Sequence, residues 1–434
     1  MIRWFFSKAV REAVAMRKHV QRLLNAQRDL LSPQAVAAVQ GQMNELNATI
    51  VEGNKGRIRI KTEELQFAAE KWIKSYPNPA WRENVEVLLV ALAVAMGIRT
   101  FFLQPFKIPT GSMQPTLFGV TSAPDFSKVE FWRDSSSEVE RAKVQSEINE
   151  QGKLRNAIQI PGGLQRIKDW FAGKNYIHVV AQADGAEESI SPPTRFLIFN
   201  IYQTIKIGGQ TQTIWFPPDY GEQPLETRAG FNIPLAGGRK LNLYEGHVFH
   251  KGEDVIKMEI SAGDHLFVNR LTYNFRKPTR GEIVVFETHG IETMPLREQN
   301  TFYIKRLVVM PSERVQIGDD RHAIINGQRL DASTPHFQNV YGFDPKEPPA
   351  ESQFSGHVNG AVAEKYDLYP FIAPLFPDAQ TVFTNGDDSY MVFGDNTCNS
   401  FDGRSWGSFP AKNVIGKSFF VYWPITSRFG WGNQ

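Results

Sequence analysis

The sequence predicts a mainly β domain that follows a single transmembrane helix and an N-terminal α-helical region. Three patterns carry this prediction: heptad-like spacing of apolar residues over positions 1–83, an apolar segment at 84–103, and short β-branched or aromatic segments between turn residues from 104 to 434. The heptads favour packed helices, the apolar segment favours a membrane span, and the short segments favour strands.

Composition excludes several classes of protein. The 434 residues carry 48 Lys and Arg against 46 Asp and Glu, and a formal charge of +2 gives no overall field for nucleic acid. Cys398 is the single cysteine, which excludes an internal disulfide and a thiolate-rich metal site. We expect no cofactor. Met1–Phe6 is shorter than a signal-peptide core, so we expect any membrane targeting to depend on an internal segment.

Residues 1–83 are predicted to form a cytoplasmic helical hairpin region. Ser32-Pro33 is typical of an N-cap followed by the first helical position, and a third helix is expected around Thr62 to Lys74, before the breaker Tyr76–Pro79. The spacing favours plain packing and leaves a partner-binding coiled coil open. The stripe comprises Ala9, Ala13, Met16, Val20, Leu23, Gln27 and Leu30 in the first helix, and Val36, Val39, Met43, Leu46 and Ile50 in the second.

The segment Val85–Leu103 is the predicted transmembrane helix, and it would be about 28 Å long at about 1.5 Å per residue. Its uninterrupted apolar part, Val87–Ile98, is only 12 residues long, and that length also suits a buried core helix. Residues 1–84 contain 14 Lys and Arg against 8 Asp and Glu. This basic excess predicts that the N-terminal region stays in the cytoplasm and that the chain after Leu103 lies outside.

Beyond residue 104 the pattern indicates strands. They are predicted at Phe196–Tyr202, Glu282–Phe286, Phe302–Met310 and Ser418–Trp423. Two-residue hairpin turns are predicted at Gly208-Gly209 and Asn326-Gly327. Helical spacing between Ser137 and Gly173 predicts one or two surface helices.

A serine with the surroundings of a nucleophile follows the apolar segment, in KIPTGSMQPTL at Lys107–Leu117. The hydroxyl of Ser112 needs a base to remove its proton and donors to stabilise the oxyanion. None of the nine histidines lies in a motif that identifies it as that base. His247 and His250 are expected on opposite faces of a strand, and no further ligand makes them a metal site.

Lys305 is the other candidate base. In YIKRLVVM at Tyr303–Met310, alternation along a strand turns Lys305 and Arg306 to opposite sides, one of them buried. Burial disfavours the ammonium form and lowers its pKa, and a neutral amine can accept a proton. A surface strand with two solvated cations fits the same spacing, and spacing alone favours it.

The third candidate stretch is GDNTCNSFDGR at Gly394–Arg404, which is rich in turn formers and in short polar side chains. Such a loop can orient a neighbouring side chain, or it can be a structural turn. A calcium loop is disfavoured because Asp395 and Asp402 are its only carboxylates.

Together these stretches resemble bacterial type I signal peptidase, the membrane-anchored Ser-Lys serine protease of family S26 that removes signal peptides from exported proteins. The motifs appear in order: the apolar anchor with PTGSMQPTL, then GDHLFVN at 263–269 with RGEIVVF at 280–286, then YIKR at 303–306 and GDNTCNSFDGR at 394–404. The resemblance covers the anchor, 104–120, about 260–318 and 390–424. It does not cover 1–80 or most of 121–255.

The resemblance implies a signal-peptidase-like antiparallel β fold and a Ser-Lys dyad. In that dyad Ser112 is the nucleophile and Lys305 is the general base. The oxyanion is held by the amide of Ser112 and the hydroxyl of Thr110, where serine is common in relatives, and Ser400 orients the lysine. Structural support from the last motif is implied for Gly394, Asp395, Asn396, Asp402 and Arg404.

The resemblance also implies cleavage of secretory preproteins after small residues of the Ala-X-Ala type. The implied location is the bacterial inner membrane, single-pass, with a cytoplasmic N-terminus and a periplasmic catalytic domain that contacts membrane lipid and no nucleic acid. The oligomeric state stays open. Apolar walls of the substrate pockets are implied at Phe106, Ile108, Met113, Leu117, Tyr303 and Ile304, and Trp423, Phe429 and Trp431 are candidates for interfacial contact.

Departures from the family pattern keep other functions open. Gly403 replaces a usual serine, and Thr397-Cys398 replaces a usual charged pair. Ser112 and Lys305 are 193 residues apart, so we expect an inserted β-rich region at about 121–255, and we also expect a smaller β subdomain at about 319–390. An inactive membrane-anchored binding or assembly protein is the alternative, followed by a soluble self-processing regulator.

Overall fold

The computed structural model describes residues 8–73, 79–127, 157–196, 199–215, 225–234, 240–368 and 372–431. The chain divides into two compact units, Met1–Ala95 and Met96–Gln434. The described α-helices are α1 Lys8–Gln27, α2 Pro33–Glu52, α3 Lys55–Trp72, α4 Pro79–Phe101, α5 Gly163–Phe171, α6 Leu225–Arg228, α7 Thr272–Phe275, α8 Gly360–Lys365 and α9 Gly403–Trp406.

The first unit contains the helices α1, α2 and α3, which share one apolar core. Val39, Leu46 and Leu65 are fully buried in it. The predicted cap is confirmed, since Ser32 Oγ accepts a hydrogen bond from the amide of Ala35 at the start of α2. Two details of the prediction were wrong. Helix α1 ends before Leu30, which is exposed, and α3 begins at Lys55 because Asn54 caps it.

Helix α4 runs across the boundary between the two units, and its residues Glu83–Phe101 are long and apolar enough to cross a membrane. The apolar side chains of this segment are exposed rather than packed inside either unit. The alternative of a buried core helix is therefore wrong. The breaker at Tyr76–Pro79 lies mostly outside the described residues.

The second unit is mainly β, which confirms the predicted fold class. Its described strands are β1 Leu103–Lys107, β2 Thr121–Pro124, β3 Lys174–Val180, β4 Glu187–Ile190, β5 Thr194–Phe196, β6 Phe199–Ile207, β7 Gln210–Trp215, β8 Ile233–Pro234, β9 Lys240–Leu241, β10 Asp254–Ser261, β11 His265–Asn269, β12 Ile283–Glu287, β13 Phe302–Val309, β14 Arg314–Ile317, β15 Ala323–Ile325, β16 Gln328–Arg329, β17 Phe383–Thr384, β18 Ser389–Phe393, β19 Phe409–Pro410, β20 Val414–Trp423 and β21 Gly430–Trp431.

The main sheet has the order β1-β11-β20-β12-β13-β18-β19, and β21 pairs with β20. Its described pairs are antiparallel. Strand β13 lies between β12 and β18, with Val284 opposite Lys305 and Phe393 opposite Arg306. This central position brings both cations into the interior.

The described part of the predicted insertion has its own sheets and its own core. Strands β2, β10 and β3 form one sheet, and β4 to β7 form another. Ile205, Ile256 and Met258 lie in the core that they enclose. Much of the predicted Ser137–Gly173 helical stretch lies outside the described residues, and its end forms α5.

A smaller sheet, β16-β15-β14-β17, packs with a separate apolar core around Phe337, Val358 and Phe376.

Both predicted hairpin turns are confirmed: Gly208-Gly209 joins β6 to β7, and Asn326-Gly327 joins β15 to β16. His247 and His250 were wrongly expected on a strand. They lie in irregular backbone on either side of the bridge residue Phe249, and Nε2 of His247 is 2.8 Å from Oε1 of Glu253.

Candidate active site

Ser112 lies on a short 3-10 turn, Gly111–Met113, just after strand β1. Asp264, which directly precedes β11, holds the chain on both sides of this turn. Its carbonyl accepts from the amide of Ile108 at 2.9 Å, and its carboxylate accepts from the amide of Phe118 at 2.8 Å. Arg428 in turn pairs with that carboxylate, with Nη2 2.9 Å from Oδ1. The serine is thus fixed by a buried acid that sequence reasoning did not single out.

Lys305 reaches Ser112 from the centre of the main sheet. Its Nζ donates a hydrogen bond to Ser112 Oγ, and only 4% of the lysine is exposed. Burial lowers the pKa of Lys305 from its ordinary value near 10.5 to about 8, with the Arg404 cation lowering it further while the Asp402 and Asp395 carboxylates raise it. The interpretation of YIKR as a surface strand with two solvated cations is wrong, because Lys305 and Arg306 are both buried.

Thr110 lies beside the nucleophile, with Oγ1 3.5 Å from the Oγ of Ser112. Unlike the serine, it is exposed. A hydroxyl in this place can turn toward an oxyanion that forms on a carbon bonded to Ser112 Oγ. The amide of Ser112 is the other donor that the family resemblance implies.

Arg306 and Asp395 form a buried ion pair behind the lysine. Nε of Arg306 is 2.8 Å from Oδ1 of Asp395, and Nη2 is 2.6 Å from Oδ2. Thr116 Oγ1 donates to the same Oδ2 at 2.5 Å. The guanidinium also donates to two backbone carbonyls. This network joins the serine loop, β13 and the last motif, and neither Arg306 nor Thr116 was predicted as a supporting residue.

Asp402 and Arg404 form a second buried pair within the last motif. Nη2 of Arg404 is 2.9 Å from Oδ2 of Asp402, and this carboxylate also accepts from the amide of Gly394. Burial is the largest single influence on the pKa of Asp402, and by itself it would raise that pKa. The Arg404 cation and the hydrogen bonds to the carboxylate together outweigh burial, so the pKa of Asp402 lies below its ordinary value. Thr397 Oγ1 accepts a further hydrogen bond from Nη1 of Arg404 at 2.8 Å. The unusual threonine at 397 is therefore part of the same network.

Two glycines of this motif are required by close packing. A Cβ on Gly394 would lie 2.1 Å from Ser400 Oγ and 2.5 Å from the carbonyl oxygen of Ser112. A Cβ on Gly403 would lie 2.6 Å from Cγ of Met391 and 2.8 Å from the carbonyl oxygen of Val392. In this fold the glycine that replaces the usual serine at position 403 avoids a clash with strand β18.

Ser400 is buried near Gly394, and among the described residues its Oγ makes no hydrogen bond to Lys305. It lies near enough to Asp402 to help lower the pKa of that carboxyl. The hydrogen bond from Ser400 to the lysine, which the resemblance implies, is absent from the described contacts.

Asn396 connects the last motif directly to the serine turn. Its amide donates to the carbonyl of Ser112 at 3.1 Å, and its Nδ2 donates to the carbonyl of Gly111 at 3.0 Å. Its Oδ1 accepts from the amide of Ser352, whose hydroxyl donates to Gln114. Ser352 comes from the segment between β16 and α8, and no sequence pattern indicated that this segment reaches the serine turn.

The six predicted pocket residues divide by exposure. Ile108, Met113 and Leu117 are buried in an apolar cluster under the serine turn, together with Leu266 and Val285. Phe106 and Ile304 are partly exposed beside it, and Tyr303, also partly exposed, packs against the neighbouring cluster that contains Phe286 and Trp406. The ring of Phe106 meets that of Phe302 edge-on at 5.5 Å. Tyr303 lies next to the lysine, with Nζ of Lys305 5.4 Å from its ring centroid.

Comparison with known proteins identifies the family. The model of the family described as signal peptidase, peptidase S26, matches residues 81–122 and 256–423. These segments contain the serine turn, the lysine strand and the last motif. The predicted insertion lies mostly between them.

Several signal peptidases are similar to this chain. Signal peptidase I of Leptolyngbya laminosa is 28% identical over 200 residues, which are 45% of this chain and 77% of the relative. Signal peptidase I of Rickettsia felis is 30% identical over 204 residues, 41% of this chain and 71% of the relative. For signal peptidase I of Pseudomonas fluorescens the identity is 26%, and the match covers 39% of this chain and 62% of the relative.

A crystal structure of a signal peptidase I from Enterococcus faecalis also matches, at 22% identity and a TM-score of 0.20, over 33% of this chain and 97% of that chain. The family match and the relatives agree with the motifs and with the antiparallel sheet that carries them. The chain therefore belongs to the signal peptidase family, peptidase S26, and is a serine endopeptidase of that family.

Proposed function

We propose that this protein is a type I signal peptidase that cleaves signal peptides from exported preproteins with a Ser112–Lys305 dyad. The observation that carries the proposal is the contact between Lys305 Nζ and Ser112 Oγ in a buried environment. Burial gives the lysine a pKa of about 8, so roughly a tenth of its side chains are neutral at pH 7. The neutral amine has a lone pair that can accept the serine proton.

The first chemical step is attack on the scissile carbonyl. Ser112 Oγ bonds to the carbonyl carbon while its proton passes to Nζ of Lys305, and the carbonyl oxygen becomes an oxyanion. The amide of Ser112 and the hydroxyl of Thr110 are the proposed donors to that oxyanion. Collapse of the intermediate then breaks the C–N bond, and the lysine ammonium returns its proton to the leaving amine.

The second step releases the signal peptide. A water molecule attacks the acyl carbon, and the neutral Lys305 accepts the proton of that water. Cleavage of the ester bond restores Ser112 with the proton from the lysine. The positions of Asp402 and Arg404 near the lysine support this cycle, since their opposite charges tune its pKa without accepting the transferred proton.

We propose that the substrate residues before the cleaved bond are small, of the Ala-X-Ala type. Phe106 and Ile304 are partly exposed at the apolar cluster that contains Met113, and Tyr303 is partly exposed next to Lys305. Bulky walls of this kind leave room only for short side chains. Ile108, Met113 and Leu117 are buried and are proposed to support these walls from beneath.

We propose that helix α4 anchors the enzyme as a single span of the bacterial inner membrane, with its N-terminus in the cytoplasm and its catalytic unit in the periplasm. The exposed apolar segment Glu83–Phe101 supports the anchor. The 14 basic and 8 acidic residues of positions 1–84 support the orientation.

The test is cleavage of a synthetic Ala-X-Ala signal peptide by the purified full-length protein. We expect Ser112→Ala and Lys305→Ala to abolish cleavage without unfolding the chain. Ser418→Ala is the matched control, because Ser418 is also a buried serine of the main sheet, on strand β20, and its Oγ makes no hydrogen bond among the described residues. Cleavage that persists in either dyad variant would refute the mechanism, and binding without cleavage by the unmutated protein would favour the inactive alternative.

A further inference from the structure

Helix α5, with the sequence GLQRIKDWF, turns its apolar residues toward solvent. Leu164 is 78% exposed, Ile167 54%, Trp170 50% and Phe171 46%, and no residue of the helix is buried. At about 100° per residue these four side chains occupy an arc of about 120°. A helix that packs on a soluble domain turns such an arc toward the core. Helix α5 has the opposite orientation.

The polar side of α5 makes the contact with the protein. Tyr176, on strand β3, donates a hydrogen bond from its hydroxyl to Oδ2 of Asp169 at 2.8 Å. Gln165 donates to the other oxygen of the same carboxylate at 2.7 Å. Gln165 and Asp169 lie opposite the apolar arc on the helix. The helix is therefore docked on the protein through its polar groups, and its apolar arc is free to contact a membrane or another surface.

Cations border the apolar arc on both sides. Lys168 lies about 40° beyond Leu164, and Arg166 lies about 40° beyond Trp170. Both residues are exposed. Long cationic side chains at the edges of an apolar arc reach the phosphate level when a helix lies in a membrane interface, and Trp prefers the same depth. Since both edges are basic, the complementary surface is anionic.

The apolar surface continues beyond the helix within the same unit. The carbonyl of Phe171 accepts a hydrogen bond from the amide of Ile425 at 2.9 Å. Ile425, Phe429 and Trp431 are also exposed. The helix and this C-terminal stretch both lie outside the residues matched by the family model.

The same unit is joined directly to the candidate membrane span. Helix α4 ends at Phe101, and strand β1 of the main sheet begins two residues later, at Leu103. The main sheet of the second unit therefore starts within about 7 Å of chain from the end of the span. A lipid surface is thus close to this unit by covalent connection.

We propose that α5 is an in-plane membrane-binding element that inserts its apolar arc into a leaflet containing anionic phospholipid. The inserted arc would lie about 5–10 Å into the boundary between headgroups and acyl chains. This contact is additional to the transmembrane anchor and does not depend on catalysis.

The test is photo-crosslinking of the full-length protein in phosphatidylcholine vesicles with and without phosphatidylglycerol. The crosslinking residue p-benzoyl-phenylalanine replaces Leu164 or Ile167 on the arc, or Gln165 on the opposite side as a matched control. We expect lipid adducts when the crosslinker is at position 164 or 167 and none when it is at position 165. The yield of these adducts should be higher in vesicles that contain phosphatidylglycerol. Protein adducts in place of lipid adducts, or equal yields at all three positions, would overturn the proposal.

A second variant tests the charge requirement. We expect Arg166→Gln combined with Lys168→Gln to remove the gain in yield caused by phosphatidylglycerol. Arg297→Gln combined with Lys346→Gln is the matched control, since both cations are exposed elsewhere in the same unit. An undiminished gain in the first double variant would overturn the preference for anionic lipid.

Discussion

The pH dependence of cleavage is the most direct test of Lys305 as the general base. The perturbation is a change of pH from 6 to 10 during hydrolysis of a signal-peptide substrate. Because only the neutral amine accepts the serine proton, kcat/KM should follow the neutral fraction of Lys305. The pKa of about 8 predicts a rise of about tenfold per pH unit below pH 8 and a plateau above it.

The magnitude follows from burial. A solvated lysine with a pKa near 10.5 would be neutral in about 0.03% of molecules at pH 7, whereas a pKa of about 8 makes this about 10%. The buried position therefore increases the reactive population about 300-fold at pH 7.

The assay measures kcat/KM for two peptides of different affinity, so that a shared apparent pKa belongs to the free enzyme. Circular dichroism at each pH establishes that the chain stays folded. A midpoint near 10.5, or a profile with no ascending limb below pH 8, would refute the assignment of Lys305 as a desolvated base.

The remaining predictions concern the neighbours and the stability of the dyad. Lys305→Met should raise the free energy of unfolding by about 1–3 kcal/mol, measured in urea at pH 7, because a buried ammonium is removed. The pKa of Lys305 is lower in the folded than in the unfolded chain. The gain in stability is therefore fully present below pH 8 and shrinks as the pH rises toward 10.5. Thr110→Val should lower kcat by about 10²–10³-fold while Thr110→Ser retains activity, and equal rates in the two variants would exclude the hydroxyl as an oxyanion donor. Arg306→Met should lower the free energy of unfolding by about 3–5 kcal/mol by leaving Asp395 buried and unpaired. Adding Asp395→Leu should recover part of that loss, and an unchanged midpoint in the single variant would contradict this account.

Local patterns in the sequence were sufficient for much of the architecture. The segment that forms α4 was predictable from its apolar length, and the turns at Gly208-Gly209 and Asn326-Gly327 from residues that tolerate positive φ. The strand containing Lys305 was predictable from its β-branched neighbours. These features depend on residues that are close in sequence, so a single chain reveals them.

The supporting network of the site was not predictable in this way. Thr116 meets Asp395 across 279 residues, and Ser352 meets Gln114 across 238. Neither contact produces a periodic pattern in the sequence, because each depends on how distant segments pack together and not on the conformation of either segment. Spacing alone even favoured a solvated Lys305. Alternation along one strand shows which residues share a face, but it does not show whether other parts of the protein cover that face.

By itself, the sequence determined the candidate membrane span, the helical and strand character of its segments, and, through motif resemblance, the identities of Ser112 and Lys305 as candidates. Only the tertiary structure decided that Lys305 and Arg306 are both buried, that the oxygen of Ser400 does not reach the lysine, and that α5 presents its apolar arc outward. The reason is that local patterns record which conformation a segment favours, whereas burial and pKa depend on neighbours that the folded chain brings from far along the sequence.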